Sequence, residues 1–153
     1  MVAGLTASEV RFLLRTRPDL NAHEVVPVVD GELLTSLVDE FEIAAGMQPA
    51  GGAYGGLIPA FFRFGPLDEH FHGRSTSAMG SKTALLGCSC GEWGCWPLMA
   101  RIAVTQGLVT WDAFEQPHRP ERDYARLGPY RFPRRQYDAA LVGLRYEVAA
   151  AGA

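Results

Sequence analysis

The alternation of apolar and polar side chains around the Gln-Gly pair at 106–107 constrains the fold more than any other feature of this sequence. Both flanking segments have a period of two, which is typical of strands with one buried face. A two-residue loop fixes their register and places Ile102 opposite Trp111. The same register places Arg101 opposite Asp112 on the other face. The sequence therefore predicts an antiparallel hairpin with Trp111 in the core.

Strands and helices are also indicated outside this hairpin. Strand-forming residues occupy 10–14 and 25–29. Apolar residues recur at helical spacing over about 32–45 and again over 134–149. Asp30 precedes the first of these segments and is predicted to be its N-cap.

Together these elements predict an α+β fold. We expect an antiparallel sheet that contains the N-terminal strands and a cysteine-containing meander around 84–114, packed against the two main helices. The chain has 153 residues, which is the length of one ordinary domain, so we expect a single domain over 1–153. Its content of 48% hydrophobic and 20% charged residues excludes intrinsic disorder.

Composition also excludes several classes of function. A net charge of −3 argues against a nucleic-acid partner, because such proteins carry strongly basic surfaces. No apolar run approaches the roughly 20 residues of a membrane helix, and the start of the chain has no secretory pattern. The glycine-rich segments fit neither the G-x-G-x-x-G nor the Walker A pattern. We therefore expect a cytoplasmic protein that has no membrane partner.

Charge is distributed unevenly along the chain. Residues 1–70 contain ten acids and four bases, whereas residues 71–153 contain seven acids and ten bases, so we expect the two halves to attract each other. Asp39, Glu40 and Glu42 are assigned to the polar side of the first predicted helix. This assignment predicts a solvated acidic surface rather than catalytic carboxylates.

All three cysteines, Cys88, Cys90 and Cys95, lie within eight consecutive residues. If 84–90 pairs with 95–101 around a bend at 91–94, Cys90 lies opposite Cys95. Cys88 then points to the same face, because it is two residues before Cys90. The sequence therefore predicts three thiols on one side of a hairpin.

A structural zinc ion is one chemistry that fits this cluster, because zinc prefers four nitrogen or sulfur donors in a tetrahedron. Three thiolates require one further ligand. His118 is the leading candidate, since its Pro-flanked segment can return beside the hairpin, and His70 and His72 are the alternatives. The C-x-C-x4-C spacing differs from the paired C-x-x-C of established zinc modules.

Three other interpretations of the cysteines remain open. Cys90 and Cys95 are close enough in the predicted hairpin for a disulfide, although a reducing cytoplasm opposes it. Cys88 or Cys90 can instead be a reactive thiolate with His118 as its base. Alternatively, the thiols are small buried apolar groups without a chemical role.

His70 and His72 also permit a separate metal site. If their segment is extended, both rings share one face with the carboxylate of Asp68. Such a site would have nitrogen and oxygen ligands, whereas surface or core packing is the alternative role for these side chains.

An arginine-rich segment over 117–135 is the second functional candidate. Arginine side chains suit phosphate or carboxylate, and a helix N-terminus follows this segment. An anion or acidic protein partner would bind here through a set of four side chains, namely Arg119, Arg122, Arg131 and Arg135. Alternatively, the arginines lie across Tyr and Phe surfaces and pair with acids of the N-terminal half.

The segments LGCSCGEWGCWPL at 86–98 and FEQPHRPERDY at 114–124 give the chain a distinctive signature. With this signature, residues 84–141 resemble a family of hypothetical proteins encoded in GC-rich bacterial genomes. The resemblance implies a bacterial, cytoplasmic protein and an independent domain. It implies no activity and no catalytic residue.

Different functional hypotheses follow from these residues. The first is a small binding or structural module, with a cysteine hairpin that zinc can stabilise and an arginine-rich segment for an acidic partner or anion. The second is an enzyme that uses a cysteine thiolate with His118. The third is a regulatory domain that senses an anion through the arginines alone.

Overall fold

A computed structural model of the chain describes residues 7–61, 65–74, 81–92 and 94–153. Among these residues it contains eight strands and three α-helices. In chain order they are β1 (Val10–Arg17), β2 (Ala22–Val29), β3 (Glu32–Leu33), α1 (Leu34–Ala44), β4 (Tyr54–Gly55), α2 (Leu67–Phe71), β5 (Thr83–Cys88), β6 (Leu98–Val104), β7 (Leu108–Glu115), β8 (Tyr130–Pro133) and α3 (Arg134–Ala151).

The strands form two antiparallel sheets, which confirms the α+β prediction. One sheet has the order β1-β2-β3, and the other is a meander of order β4-β5-β6-β7-β8. Val25 of β2 and Leu57 exchange two backbone hydrogen bonds of 2.7 and 3.0 Å. The N-terminal strands and the cysteine-containing meander are therefore connected through Leu57, just beyond β4.

The hairpin of β6 and β7 has the register that the sequence predicts. Ile102 pairs with Trp111, and Arg101 pairs with Asp112. The regular register ends in a bulge beyond Arg101, where Ala113 has a φ of 52°. Trp111 is fully buried and donates its indole N–H to the hydroxyl of Tyr137 over 3.1 Å.

One hydrophobic cluster contains side chains of both sheets and of all three helices. Phe12 of β1 contacts Phe71 of α2 at a ring-centroid distance of 4.6 Å and Tyr137 of α3 at 5.6 Å. Gln136 also joins α3 to β1 through two hydrogen bonds with the backbone of Val10. The predicted C-terminal helix is thus confirmed, and its buried face closes the core.

The predicted N-terminus of the first helix is wrong. Asp30 and Gly31 have φ values of 50° and 82° and form the two-residue turn between β2 and β3. Asp-Gly with two positive φ values is typical of a type I′ hairpin turn. The Asp30 carboxylate consequently accepts a hydrogen bond from the Glu9 N–H at 2.8 Å, and α1 begins only at Leu34.

Across the described part of the chain, no helix is both long enough and apolar enough to cross a membrane.

Candidate metal centre

The cysteines lie mainly in a loop rather than on paired strands. Strand β5 ends at Cys88, and its pairing with β6 ends at Leu86 and Leu98. The predicted pairing of Cys90 with Cys95 across a hairpin is therefore wrong. The chain turns directly after Cys88, whose carbonyl accepts the N–H of Gly91 at 3.0 Å. Trp93 of the predicted bend lies outside the described residues.

We call residues 88–92 and 94–95 the cysteine loop. Its three sulfur atoms lie within 4.8 Å of one another, so the predicted gathering of the thiols is confirmed. The Sγ atoms of Cys90 and Cys95 are 3.1 Å apart, and Cys88 Sγ accepts the N–H of Cys90 at 3.2 Å. Cys90 and Cys95 are exposed, whereas Cys88 is half-buried. A turn thus produces the arrangement that was expected from strand pairing.

These distances suit a metal ion of the size and softness of zinc. Thiolates at about 2.3 Å from zinc in a tetrahedron are about 3.8 Å from one another. The three sulfurs therefore need to move by less than about 1 Å to become ligands. All three are free thiols, and the 3.1 Å between Cys90 Sγ and Cys95 Sγ is longer than the roughly 2.05 Å of a disulfide.

Contacts between the thiols separate their pKa values. Burial opposes ionisation of Cys90, but hydrogen bonds with Cys88 and Cys95 outweigh it and lower the pKa of Cys90 below its usual value. Burial, together with hydrogen bonds to Cys90 and Cys88, raises the pKa of Cys95 to about 12. Ionisation of Cys90 is therefore favoured and ionisation of Cys95 is opposed, as long as no cation is bound.

The first half of the cysteine loop is fixed by the N-terminal sheet. The Ser89 carbonyl accepts the Arg17 guanidinium at 2.6 Å, and the Ser89 N–H donates to the Ala53 carbonyl at 2.9 Å. Arg17 is in turn held by Glu24 at 3.0 Å. Burial opposes the ionisation of Glu24, but hydrogen bonds from Arg15, the Gly56 N–H and Arg17 lower its pKa. No feature of the cysteine segment itself could have revealed these contacts.

Gly91 allows the turn after Cys88 to pack closely against Leu20, which lies between β1 and β2. Its φ is 98°, a conformation that side chains rarely adopt. A Cβ atom added there would lie 2.7 Å from a methyl carbon of Leu20. Glycine therefore permits both the turn and the close packing of the cysteine loop on the segment between β1 and β2.

His118 returns beside the other half of the cysteine loop. Its Nε2–H donates to the Gly94 carbonyl at 2.8 Å, and its backbone N–H donates to Gln116 Oε1 at 2.7 Å. Among the described residues, the mutually close metal-binding atoms are the three sulfurs alone. His118 is thus linked to the cluster by its hydrogen bond to Gly94, the residue before Cys95. Its role as a ligand stays a prediction.

His70 and His72 do not lie on an extended segment, because residues 67–71 form helix α2. His70 is buried and donates its Nε2–H to the Ala84 carbonyl at 2.7 Å, and burial lowers its pKa to about 4. The His72 ring nitrogens contact the Asp68 carbonyl at 2.6 Å and the Asp138 carboxylate at 2.7 Å. The extended geometry expected for a second metal site is therefore wrong.

Two of the four predicted anion-binding arginines meet on one aromatic ring. The guanidinium carbons of Arg119 and Arg122 lie 4.7 and 5.5 Å from the centre of the Trp96 ring. Arg122 also forms a buried ion pair of 2.9 Å with Glu42, so pairing with an acid of the N-terminal half is confirmed for Arg122. This pairing leaves Arg122 less available to an external anion.

Glu42 is fully buried, so its predicted place on a solvated face is wrong. The sequence contained the signal, because Glu42 continues the buried positions Leu34 and Val38 at a spacing of four. Its carboxylate accepts hydrogen bonds from the Gly51 N–H at 2.9 Å and from the Tyr124 hydroxyl at 2.5 Å. Burial, followed by the contact with Glu42, raises the pKa of Tyr124.

The other two arginines lie elsewhere on the fold. Arg131 is in β8, where it pairs with Thr110 of β7, and Arg135 is exposed in the first turn of α3. The structure therefore brings Arg119 and Arg122 together at Trp96 and places the remaining two on other elements. An anion site made by all four stays a prediction.

The fold and this site define an α+β protein with a three-thiol cluster at its surface. Comparison of the chain with protein-family models, with curated proteins and with solved structures gave no match. The chemistry of the cysteine loop is therefore the basis for assigning a function.

Proposed function

We propose that the protein is a small zinc-binding structural or interaction module. In this proposal Cys88, Cys90 and Cys95 bind zinc as thiolates, and His118 completes the coordination. The observation that carries the proposal is the gathering of three sulfur atoms within 4.8 Å of one another. Thiolate and imidazole together form a donor set that favours zinc.

His118 supports the proposal through its hydrogen bond to the backbone. A zinc-bound histidine commonly donates its other ring N–H to a carbonyl or carboxylate, which fixes the orientation of the ring. The contact from His118 Nε2 to the Gly94 carbonyl, at 2.8 Å, is an interaction of this kind. It leaves Nδ1 as the nitrogen that carries a lone pair for the metal.

Zinc in this position would stabilise a junction of three segments. The cysteine loop already contacts β1 through Arg17 and the segment after β7 through His118. A bound ion would add four strong bonds to these single hydrogen bonds, with no coordination position left for a substrate. We therefore assign the ion a structural role.

The arginine-rich segment provides the interaction part of the proposal. Arg119 and Arg135 are exposed, whereas Arg122 is held by Glu42. An acidic protein partner or small anion would consequently meet Arg119 after β7, or Arg135 on α3, before it met Arg122. A bacterial cytoplasm, which the family resemblance implies, would keep the three thiols reduced and able to bind metal.

Metal analysis of the purified protein tests the proposal. We expect about one zinc per chain, measured by mass spectrometry of the metal, and loss of most of it in Cys90→Ser and Cys95→Ser. His118→Gln should retain zinc but weaken its affinity in competition with a chromophoric chelator. Ser89→Ala is the matched control within the loop, because Ser89 holds the loop through its backbone.

The proposal fails if the reduced protein takes up no zinc when zinc is supplied at micromolar concentration. It also fails if Cys90→Ser and Ser89→Ala bind zinc with equal affinity. If His118→Gln and the native chain bind zinc with equal affinity, His118 is not a ligand, and a water molecule is the expected fourth ligand. The three cysteine ligands would be unaffected by this result.

A further inference from the structure

We infer that the cysteine loop is also a site of reversible oxidation, at which hydrogen peroxide joins Cys90 and Cys95 in a disulfide and thereby releases the bound metal. The disulfide part of the inference rests on the positions of the free thiols alone. The metal-release part rests on the proposed function. Both sulfurs are exposed, and their separation of 3.1 Å already places them in contact.

The geometry selects Cys90 and Cys95 over any pair that includes Cys88. Closing the 3.1 Å separation to a bond of about 2.05 Å moves the sulfurs by about 1 Å in total. Both residues lie between β5 and β6, so no pairing between strands opposes this movement. Cys88 is different, because it is half-buried and pairs with Tyr54 at the end of β5.

The backbone contacts of the loop keep these two residues near each other. Arg17 holds the carbonyl of Ser89, which precedes Cys90, and His118 holds the carbonyl of Gly94, which precedes Cys95. Each contact uses a main-chain oxygen of the preceding residue, so neither contact occupies a sulfur atom. The loop is therefore preorganised for bond formation, which lowers the entropy cost of closing the ring.

The oxidation balances with peroxide as the two-electron acceptor. One thiolate attacks a peroxide oxygen, the O–O bond breaks, and a sulfenic acid and hydroxide form. The sulfur of the second cysteine then attacks the sulfur of the sulfenic acid and forms the disulfide bond. The hydroxyl group of the sulfenic acid takes up a proton and leaves as water. In total, two thiols and one peroxide give one disulfide and two waters, and each sulfur loses one electron.

Formation of this bond removes two of the three thiolates from the metal. A disulfide sulfur is a poor ligand, so Cys88 and His118 alone would remain, and two ligands hold zinc weakly. Zinc would leave as the hydrated ion. A dithiol reductant would reverse the oxidation and regenerate the site.

The test treats zinc-loaded protein with graded hydrogen peroxide. Released zinc is followed by the absorbance of a chromophoric chelator, and the intact mass and the cysteine peptides are followed by mass spectrometry. We expect one zinc released per disulfide, loss of two hydrogen atoms from the mass, and a cross-linked peptide that joins Cys90 to Cys95. Dithiothreitol followed by added zinc should restore the starting state.

Two variants make the pairing specific. Cys88→Ser should still form the bond between Cys90 and Cys95, whereas Cys95→Ser should form no intramolecular disulfide and should accumulate sulfinic acid at Cys90. The same mass measurement on metal-free protein separates the two proposals. If the protein never binds zinc but still forms the disulfide between Cys90 and Cys95, the proposed zinc-binding function is wrong and the oxidation site remains supported.

Two results would overturn the inference while leaving the zinc site intact. In the first, peroxide produces only sulfinic or sulfonic acids or links between chains. In the second, the cross-linked peptide contains Cys88 in the native chain.

Discussion

The hairpin of β6 and β7 and the cysteine loop next to it in the chain are built in different ways. In the hairpin, the partners of Arg101 and Trp111 lie about ten residues away and follow from one short turn. In the cysteine loop, the backbone is held by Arg17 from the N-terminal sheet and by His118 from the segment after β7. The hairpin is thus organised by neighbours in sequence, and the loop by residues that are distant in sequence.

This difference extends to the kind of interaction that each region uses. Trp111 is stabilised by apolar contacts, with Phe132 at a ring-centroid distance of 4.7 Å and a single hydrogen bond to Tyr137. Around the loop, charged and polar groups such as Glu24 and Glu42 are buried and need specific partners. We expect the hairpin to respond to lost volume and the loop region to respond to lost charge pairing.

The largest effect is expected from Trp111→Ala. Removal of this side chain leaves a cavity in the core, and we expect a loss of about 3–5 kcal/mol in the free energy of unfolding. A urea titration measures the change, with Val142→Ala as a control at a position that is 47% exposed. A loss below about 1 kcal/mol for Trp111→Ala would contradict the central place of the hairpin in the core.

Glu42→Gln tests the polar region with almost no change in volume. The substitution leaves the Arg122 guanidinium buried without its counter-charge, so we expect a loss of about 3 kcal/mol in the free energy of unfolding. In the double variant with Arg122→Met, much of this loss should be recovered. If the losses of Glu42→Gln and Arg122→Met simply add in the double variant, the pair is not coupled and charge pairing does not stabilise this region.

Acid should destabilise the protein through His70. In the folded chain the pKa of His70 is about 4, because burial disfavours its charged form, whereas the unfolded value is near 6.5. Between these pH values the unfolded state binds more protons, so stability falls as the pH decreases and the loss ends below about pH 4. We expect His70 to contribute about 2 kcal/mol of lost stability between pH 7 and pH 5.

Urea titrations at the two pH values measure this contribution. His70→Gln should show a smaller decrease than the native chain, and Val142→Ala, at an exposed position that does not titrate, should show the native decrease. An NMR titration in which the His70 ring gains a proton near pH 6.5 in the folded state would contradict the prediction.

The smallest effect is expected from Asp112→Asn. The ion pair with Arg101 has two hydrogen bonds of 2.8 and 2.9 Å, but the Arg101 side chain is 56% exposed and solvent screens the attraction. We expect the smallest loss in the free energy of unfolding among these variants, reduced further by high salt. If Asp112→Asn lowers the free energy of unfolding as much as Glu42→Gln does, the strength of an ion pair is determined by its position in the hairpin rather than by its burial.

Predictions from sequence succeeded where one local pattern controlled the outcome. The register around Trp111 followed from a turn and from cross-strand pairing, and helix α3 followed from its apolar spacing. The Asp30-Gly31 turn was misassigned because aspartate is favoured both at helix N-caps and in hairpin turns. Glu42 was misassigned because its charge favoured a solvent-exposed face, although its spacing of four from Val38 indicates the buried face. The buried arginine partner that makes this burial possible, Arg122, is distant in sequence.

The candidate site could be predicted only in part. Three cysteines within eight residues are confined to a small volume by chain length, so their gathering was predictable even though the expected pairing of Cys90 with Cys95 across strands was wrong. The contacts of Arg17 with Ser89 and of His118 with Gly94 were not predictable as such. They depend on how the two sheets and the segment after β7 lie against each other.

The sequence by itself determined the α+β class, the hairpin register and the closeness of the three thiols, because turn geometry and short chain separations restrict those features. Only the tertiary structure decided which polar groups are buried together, such as Glu42 with Arg122. The physical reason is that burial of a charge requires a partner, and that partner can come from any part of the chain.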